Sequence, residues 1–485
     1  MRSEAVGARF PPSAIVLVGA LGALAVSVVS DASPLLVALL VIVVAAVAIS
    51  HRTLLSWHSL LAAILLVLLF IPAKRYTLPA GLPFKLDVYR ALVAAVIVCW
   101  GASLLVDPRV RLRRSAFDAP LVLLVAAVLA SVSANGDRVQ PLGSDVAKSL
   151  LLLLGFVAVY YFTVSVVAGR RHVELMLKLL VGGAALVAIA SVVERRTAYN
   201  VFDHLGEWVP FLDYHGYRFG TRGGRLRVLA SSSHPIALGA LFAMLLPISV
   251  ALGYRLGRHW WILAGALGVG VFATASRTPV LMLAAAGAIL LWLKPEVKRL
   301  WPLAVPAAVV VHFLLPGAIG TIRDAFLPAG GLVAEQSNVD PEVDPLLAGG
   351  RLRLLGPSLD EWAQRPLFGQ GEGTRITGFE APNRNAPILD NQWLGTLLEL
   401  GVLGFAAWAW LLLRAVRRLG ARARDAPAEE GWLFAGLAAS VAAFGVGMFT
   451  YDAFSFIQVT FVFWILLGLA SSLLASPKHV PGAAP

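Results

Sequence analysis

Charge is scarce in this 485-residue sequence: 14% of its residues are Asp, Glu, Lys or Arg, against roughly a quarter in a soluble globular protein. An apolar fraction of 58% and a mean hydropathy of +0.78 exceed what one or several water-soluble cores could use, so a soluble multidomain enzyme is excluded. Cysteine is nearly missing too. Cys99, the single one, lies inside an apolar run, which excludes an intramolecular disulfide framework, a Cys-based metal cluster and the small secreted scaffold. Acid is the scarcer charge, with 28 Asp+Glu against 40 Lys+Arg, a net charge of +12 and a pI near 10.2. In a soluble chain that excess would suggest nucleic acid. Here the charges sit between apolar runs, so their position decides, and no nucleic-acid partner is expected.

What the sequence has in quantity is long apolar runs. A bilayer core about 30 Å thick needs roughly 20 apolar residues per helix, and about fourteen runs approach that length. They cover residues 13–30, 34–50, 54–72, 88–106, 119–134, 145–167, 173–193, 235–254, 259–276, 278–293, 301–316, 389–416, 431–449 and 453–474. The runs are continuous instead of alternating, so they read as helices and not as barrel strands. The expected fold is all-α: a polytopic membrane protein with about 12–14 transmembrane helices and one large extracytoplasmic loop. With the N-terminus inside, Arg109, Arg111, Arg113 and Arg114, then Arg170 and Arg171, Arg255 and Arg258, Lys294, Lys298 and Arg299, and finally Arg414 to Arg424 all fall on the cytoplasmic side. Both termini are then cytoplasmic. The first run lacks a convincing small-residue cleavage site, so it reads as a span and not as a signal peptide. The chain divides into helices over 1–193, an extracytoplasmic Arg/aromatic segment over 194–228, helices over 229–316, the large loop over 317–388 and helices over 389–485.

The two outer segments are longer than connections usually are unless they carry function or disorder. The first places Trp208, Tyr214 and Tyr217, with Tyr199, Phe202, Phe211 and Phe219, among acids and histidines. Such aromatics suit either a headgroup-level belt on a short surface helix or stacking on sugar rings. Arg218, Arg222, Arg225 and Arg227 follow, interleaved with glycine, and break the positive-inside pattern. Guanidinium groups there are costly unless they meet an anion, and arginine takes phosphate in a bidentate fork. Ser231-Ser232-Ser233-His234-Pro235 opens the next helix, where capping explains most of the stretch and His234 is also a candidate base. Arg277 stands at the outer boundary between two helices with almost no other charge, either snorkelling to headgroups or serving a site.

In the large loop, residues 317–348 look irregular, and Asp340-Pro-Glu-Val-Asp344 reads as a solvated acidic loop, not a metal site. From Arg351 through Trp362 the spacing predicts an amphipathic helix ending before Pro366. Gly369-Gln-Gly-Glu-Gly373 has no strand before it, so it reads as a turn instead of a nucleotide loop. Asp390 heads the following helix as a cap or as a general base. Glu399 is the main charged residue deep inside an apolar run, and the halves show no convincing internal repeat, which weighs against a transporter.

Taken in order, these short motifs resemble the O-antigen ligase and polymerase superfamily. Arg227-Val-Leu-Ala-Ser-Ser-Ser-His-Pro235 is similar to that family's Arg and Asn/His-Pro stretch. Ala275-Ser-Arg-Thr278 looks like its Ser-Arg step. Gly350-Arg351, Trp362, Pro366-Leu-Phe-Gly-Gln-Gly371, Asp390-Asn-Gln-Trp-Leu394 and Glu399-Leu-Gly-Val-Leu-Gly404 resemble its outer loop and the helix after it. The resemblance implies a GT-C-like membrane glycosyltransferase of bacterial lipopolysaccharide or exopolysaccharide synthesis in the cytoplasmic (inner) membrane. It implies an inverting, metal-independent transfer from an undecaprenyl diphosphate-linked glycan donor to a glycan, lipid or protein acceptor, with no cofactor and a polysaccharide flippase as a further partner. By position, Arg227, Arg277, Arg351 and Arg225 would hold the diphosphate and Asp390 would act as base, with His234 second. The glycan would lie against Trp208, Tyr214 and Tyr217. The family's ligases usually carry His where this chain has Asp390, which leaves ligase, polymerase and acceptor open. The alternatives are a lipid-linked oligosaccharide flippase and a cell-wall glycosyltransferase of the shape, elongation and division type.

Overall fold

The computed structural model describes residues 56–79, 86–216, 221–222, 225–327, 354–377 and 384–476, so the expected runs 13–30 and 34–50 lie outside the described residues. Among the described residues, eight helices are long and apolar enough to cross a membrane and four shorter ones are comparably apolar. In chain order the apolar helices are α1 (Trp57–Phe70), α2 (Val88–Val106), α3 (Asp118–Ala134), α4 (Gly143–Val166), α5 (Arg170–Thr197), α6 (Pro235–Leu256), α7 (His259–Ala273) and α8 (Arg277–Leu293). A 3-10 turn, Pro295–Leu303, leads into α9 (Ala304–Leu314), followed by α10 (Ala318–Phe326), α11 (Leu355–Ala363), α12 (Gln392–Asp425), α13 (Ala428–Gly447) and α14 (Ile457–Ala475). The protein is therefore an all-α polytopic membrane protein.

Helix α6 forms the axis, packed against α5, α7, α8, α13 and α14, and both α6 and α14 are almost wholly buried. Lipid gives helices no hydrophobic reason to associate, so close packing of small residues does that work. A Cβ at Gly239 would lie 2.3 Å from Pro279 Cγ, and one at Gly436 would lie 2.9 Å from the Pro247 carbonyl oxygen. The rim is different. Helices α2 and α9 turn Val98, Val305 and Phe313 outward, as lipid-facing side chains should be.

Two boundaries differ from the sequence expectation, each for a local reason. Residues 317–348 were expected to be irregular, yet Ala318–Phe326 is helical because Ala318 and Ile322, four apart, bury one face. Helix α12 runs on past residue 416 to Asp425, since Ala415, Leu419 and Ala423 keep a buried stripe through the arginine-rich turns.

The basic clusters gather at one end. There Arg170 pairs with Glu174 and Glu430, Arg255 pairs with Glu174, and Arg414 donates to the Ala116 carbonyl. The opposite, loop-rich end carries short strands: β1 (Tyr76–Leu78) pairs antiparallel with β2 (Leu86–Asp87) and with β3 (Asp213–Tyr214), in registers Thr77↔Asp87 and Tyr76↔Tyr214. A second ladder joins β4 (Thr221–Arg222) to β5 (Arg225–Leu226).

Candidate active site at the loop-rich end

Backbone carbonyls, not solvent, organise this end. Arg75, fully buried, donates through Nη1 to Asp203 at 2.7 Å and through Nη2 to the carbonyls of Ala230, at 2.6 Å, and Ser232. Glu194, in the last turn of α5, accepts the Leu229 N–H at 3.1 Å and the Ala230 N–H at 2.7 Å. Asn200 adds a bond to the Ala230 carbonyl at 3.1 Å. Ala230 is held at φ 40°, a left-handed conformation that an alanine keeps only when its surroundings enforce it. Residues 229–232 are thus clamped, and Arg227 and His234 project from either side of the clamp.

Arg227 Nη2 lies 3.4 Å from Ser276 Oγ. Helix α7 ends at Ala273, Ala275 takes φ 50°, and Ser276 stands just before the first residue of α8, Arg277. Arg227 is thereby placed against the residue that precedes Arg277 in the chain. Thr278 then donates to the Thr450 carbonyl at 3.3 Å, tying this pair to the α13–α14 connection.

That connection, residues 448–456, is the hub of the site. The Gln392 N–H donates to the carbonyls of Met448 at 2.7 Å and Tyr451 at 3.2 Å, and the Phe454 N–H returns a bond to Gln392 Oε1 at 2.9 Å. His234 stacks on Phe456, ring centroids 4.9 Å apart, while its Nδ1 accepts the Ile236 N–H at 3.1 Å. It is the cap of α6. Asn391, not Asp390, caps α12 by accepting the Leu394 N–H at 3.1 Å. The capping alternative for Asp390 is thereby displaced, and Asp390 takes φ 48° beside the hub. Its charge acts on Asp452, whose carboxyl is pushed up to about 6 by burial first and by Asp390 second, against the pull of a Ser455 hydrogen bond, Arg375 and Lys74. Two carboxyl groups in one low-dielectric site cannot both ionise easily.

Below the hub the chain solves a second packing problem. Helix α12 is broken at Gly401, with φ 65° and ψ −163°, and the 366–371 turn fills the gap. The Val402 N–H donates to the Pro366 carbonyl at 2.9 Å, and the Gln370 N–H donates to the Leu398 carbonyl at 2.8 Å. A Cβ on Gly401 would sit 2.3 Å from the Leu367 oxygen, and one on Gly369 would sit 2.5 Å from the Glu399 oxygen. Two glycines are required for the backbones to meet. Glu399 Oε1 then accepts the Gly373 N–H at 3.2 Å, and Glu372, raised by burial, accepts from Ser149 at 2.6 Å.

The structure brings Arg227, Arg277, His234 and Asp390 to one hub. Trp208 and Tyr214 are exposed at this end, Tyr214 against Tyr76 at 5.2 Å. Arg351 and Tyr217 lie outside the described residues, as does the side chain of Arg225, whose backbone is in β5. Sequence reasoning missed Lys74, Arg75, Arg375 and Asp452. Asp452 had a signal: it is the only acid after Glu430. Among the described residues no three His, Cys, Asp or Glu side chains group as metal ligands do.

Fold and site together define a multi-pass membrane protein with a cationic and carboxylate site at helix-end depth. Residues 261–409 match the O-antigen ligase family model. The match includes Arg277, Arg351, Arg375, Asp390 and the Gly401 break, while Arg227 and His234 precede it and Asp452 follows it. No curated protein matches the chain in sequence. In general terms the protein is a membrane glycan ligase or polymerase, acting on a lipid-linked glycan and an acceptor.

Proposed function

We propose that the protein transfers an oligo- or polysaccharide from an undecaprenyl diphosphate donor to an acceptor hydroxyl at the extracytoplasmic face of a bacterial cytoplasmic membrane, with inversion and without a divalent metal. The observation that supports this reading is that the Arg227–Ser276 contact, the Thr278–Thr450 bond and the Asp390–Asp452 carboxyl pair all lie around residues 448–456. Arg227 and Arg277, with Arg351 and Arg225, hold the diphosphate through bidentate, charge-assisted bonds. Asp390 takes the acceptor proton, with Asp452 beside it. The acceptor oxygen bonds to the anomeric carbon as the carbon–oxygen bond to the diphosphate breaks. The electron pair leaves on the phosphate oxygen, where the guanidinium groups neutralise it. Trp208, Tyr214 and Tyr217 offer ring faces to the glycan. His234 is already occupied as a helix cap, which favours Asp390 as the base.

The test is transfer by the purified protein from an undecaprenyl diphosphate oligosaccharide with EDTA present. A ladder of longer lipid-linked glycans indicates a polymerase, and a single transfer to an added acceptor indicates a ligase. Arg227→Ala, Arg277→Ala and Arg351→Ala should each abolish product while the protein still inserts. Retained product in all three overturns the reading. Intact donor that moves between leaflets of liposomes replaces it with the flippase.

A further inference from the structure

Arg375 is a charged group of this end that the transfer scheme leaves unused, and it is held more firmly than a loop residue needs to be. On one side Thr374 donates to the Gly371 carbonyl at 2.9 Å, and its own carbonyl accepts from Asn385 Nδ2 at 3.0 Å. On the other side the Ile376 N–H donates to Asn385 Oδ1 at 2.9 Å, and the Ile376 carbonyl accepts the Asn385 N–H at 3.1 Å. The backbone is pinned before and after Arg375. The guanidinium lies within electrostatic reach of both Glu399 and Asp452, yet Nε and Nη2 are buried with no hydrogen-bond partner among the described residues. Leaving two donors of a charged group buried and unpaired costs several kcal/mol, so a pinned guanidinium in that condition points to an acceptor that arrives from elsewhere. Nε and Nη2 are the edge of the fork that takes two oxygens of one carboxylate or phosphate.

Displacement geometry says which partner brings that oxyanion. In an inverting transfer the attacking hydroxyl and the leaving diphosphate stand on opposite faces of the anomeric carbon. A group beside the base is then beside the acceptor, not beside the leaving group. Arg375 and Lys74 are the cations that act on Asp452. Resting on the transfer reading above, we propose that Arg375 binds an anionic group of the acceptor, a carboxylate or phosphate, next to the Asp390–Asp452 base, and so sets acceptor specificity.

The experiment uses the full chain, the undecaprenyl diphosphate oligosaccharide and one acceptor oligosaccharide in three forms: neutral, bearing a uronic carboxylate and bearing a phosphate monoester. Wild type should favour one or both charged forms at least about tenfold in kcat/KM. Which of the two it favours distinguishes carboxylate from phosphate. Arg375→Gln should erase that preference by raising the acceptor KM about tenfold or more, with the donor KM held within about twofold. Arg375→Lys, which keeps the charge without the fork, should recover part of it and supplies the same comparison if the glutamine variant does not insert. A rise in donor KM instead, or an equal rate on all three acceptors, overturns the proposal while transfer itself stands. A wild type that consumes no donor defeats the transfer reading and this inference together.

Discussion

Both ends of the molecule are rich in arginine, and they use it in opposite ways. At the basic end the chain supplies its own partners: Arg170 and Arg255 share Glu174 at 3.0 and 2.8 Å, Arg424 lies 5.0 Å over the Trp292 ring, and Lys294 lies 5.8 Å over Trp432. At the loop-rich end one arginine, Arg75, is consumed by Asp203 and two carbonyls, and with Glu194 it fixes the backbone from which Arg227 projects. Arg375, at the same end, keeps two donors unused. Cations satisfied within the fold hold topology and packing, whereas cations held by backbone and left with capacity are arranged for an anion that comes from outside.

The largest expected effect breaks that comparison directly. Arg277→Ala should lower transfer by a factor on the order of 10² to 10³, the usual result of removing a preorganised donor from developing charge. Arg424→Ala, at the other end, should leave transfer within about twofold, because its exposed ring contact, about 0.5 to 1 kcal/mol, lies far from the candidate site. Initial rates of both variants at equal membrane insertion check the pair, and equal losses would erase the distinction between the ends.

The second expectation concerns protons. Asp452 holds its proton up to about pH 6 in the folded protein, whereas an unfolded aspartate releases it near about 3.9. The folded state therefore binds more protons through that window, so stability is greatest at low pH and falls as pH rises through about 6. Activity should run the other way, rising toward a plateau with a midpoint near 6 as Asp452 ionises. Asp452→Asn should raise the melting temperature above that midpoint, flatten the pH profile and lower the rate. Thermal melts and rates from pH 5 to about 8 measure both arms. A profile unchanged by the substitution removes Asp452 from the site.

A third expectation is structural. Gly401→Ala must place a side chain 2.3 Å from the Leu367 oxygen at a φ of 65°, so it should destabilise the protein by about 2 to 4 kcal/mol and dislodge the turn that leads to Arg375. Protease protection of the 366–377 segment, compared with that of α6, reads the effect. Uniform loss across both would mean general unfolding instead of a loosened turn.

The helices were legible because period and length are local properties. Residues 88–106 were expected and formed as written, and the 235–254 run begins where Pro235 and the His234 cap predict. That Arg227, Arg277 and Asp390 stand at the ends of apolar runs was legible for a different reason, as isolated charges in the sequence. What stayed hidden depended on distant partners. Nothing around Gly401 marks a broken helix until the 366–371 turn occupies the gap, and Arg75 is unremarkable until Ala230 and Ser232 turn their carbonyls toward it. Asp452, between two expected spans, comes to the candidate site only because Gln392 and Thr278 draw residues 448–456 onto the first turns of α8 and α12.

The smallest effect belongs to His234, which sits at the active end but is satisfied in the manner of the basic end. Its Nδ1 accepts the Ile236 N–H and its ring covers Phe456. Asparagine caps helices at least as well, so His234→Asn should preserve α6 and sacrifice only the ring contact, about 0.5 to 1.5 kcal/mol. Transfer should stay within about threefold, since no proton step runs through a nitrogen already committed to a cap. A loss of about a hundredfold or more, with the melting temperature unchanged, would make His234 the base and return Asp390 to a supporting role. The comparison would then need restating, because a side chain satisfied by its own fold would be doing the chemistry.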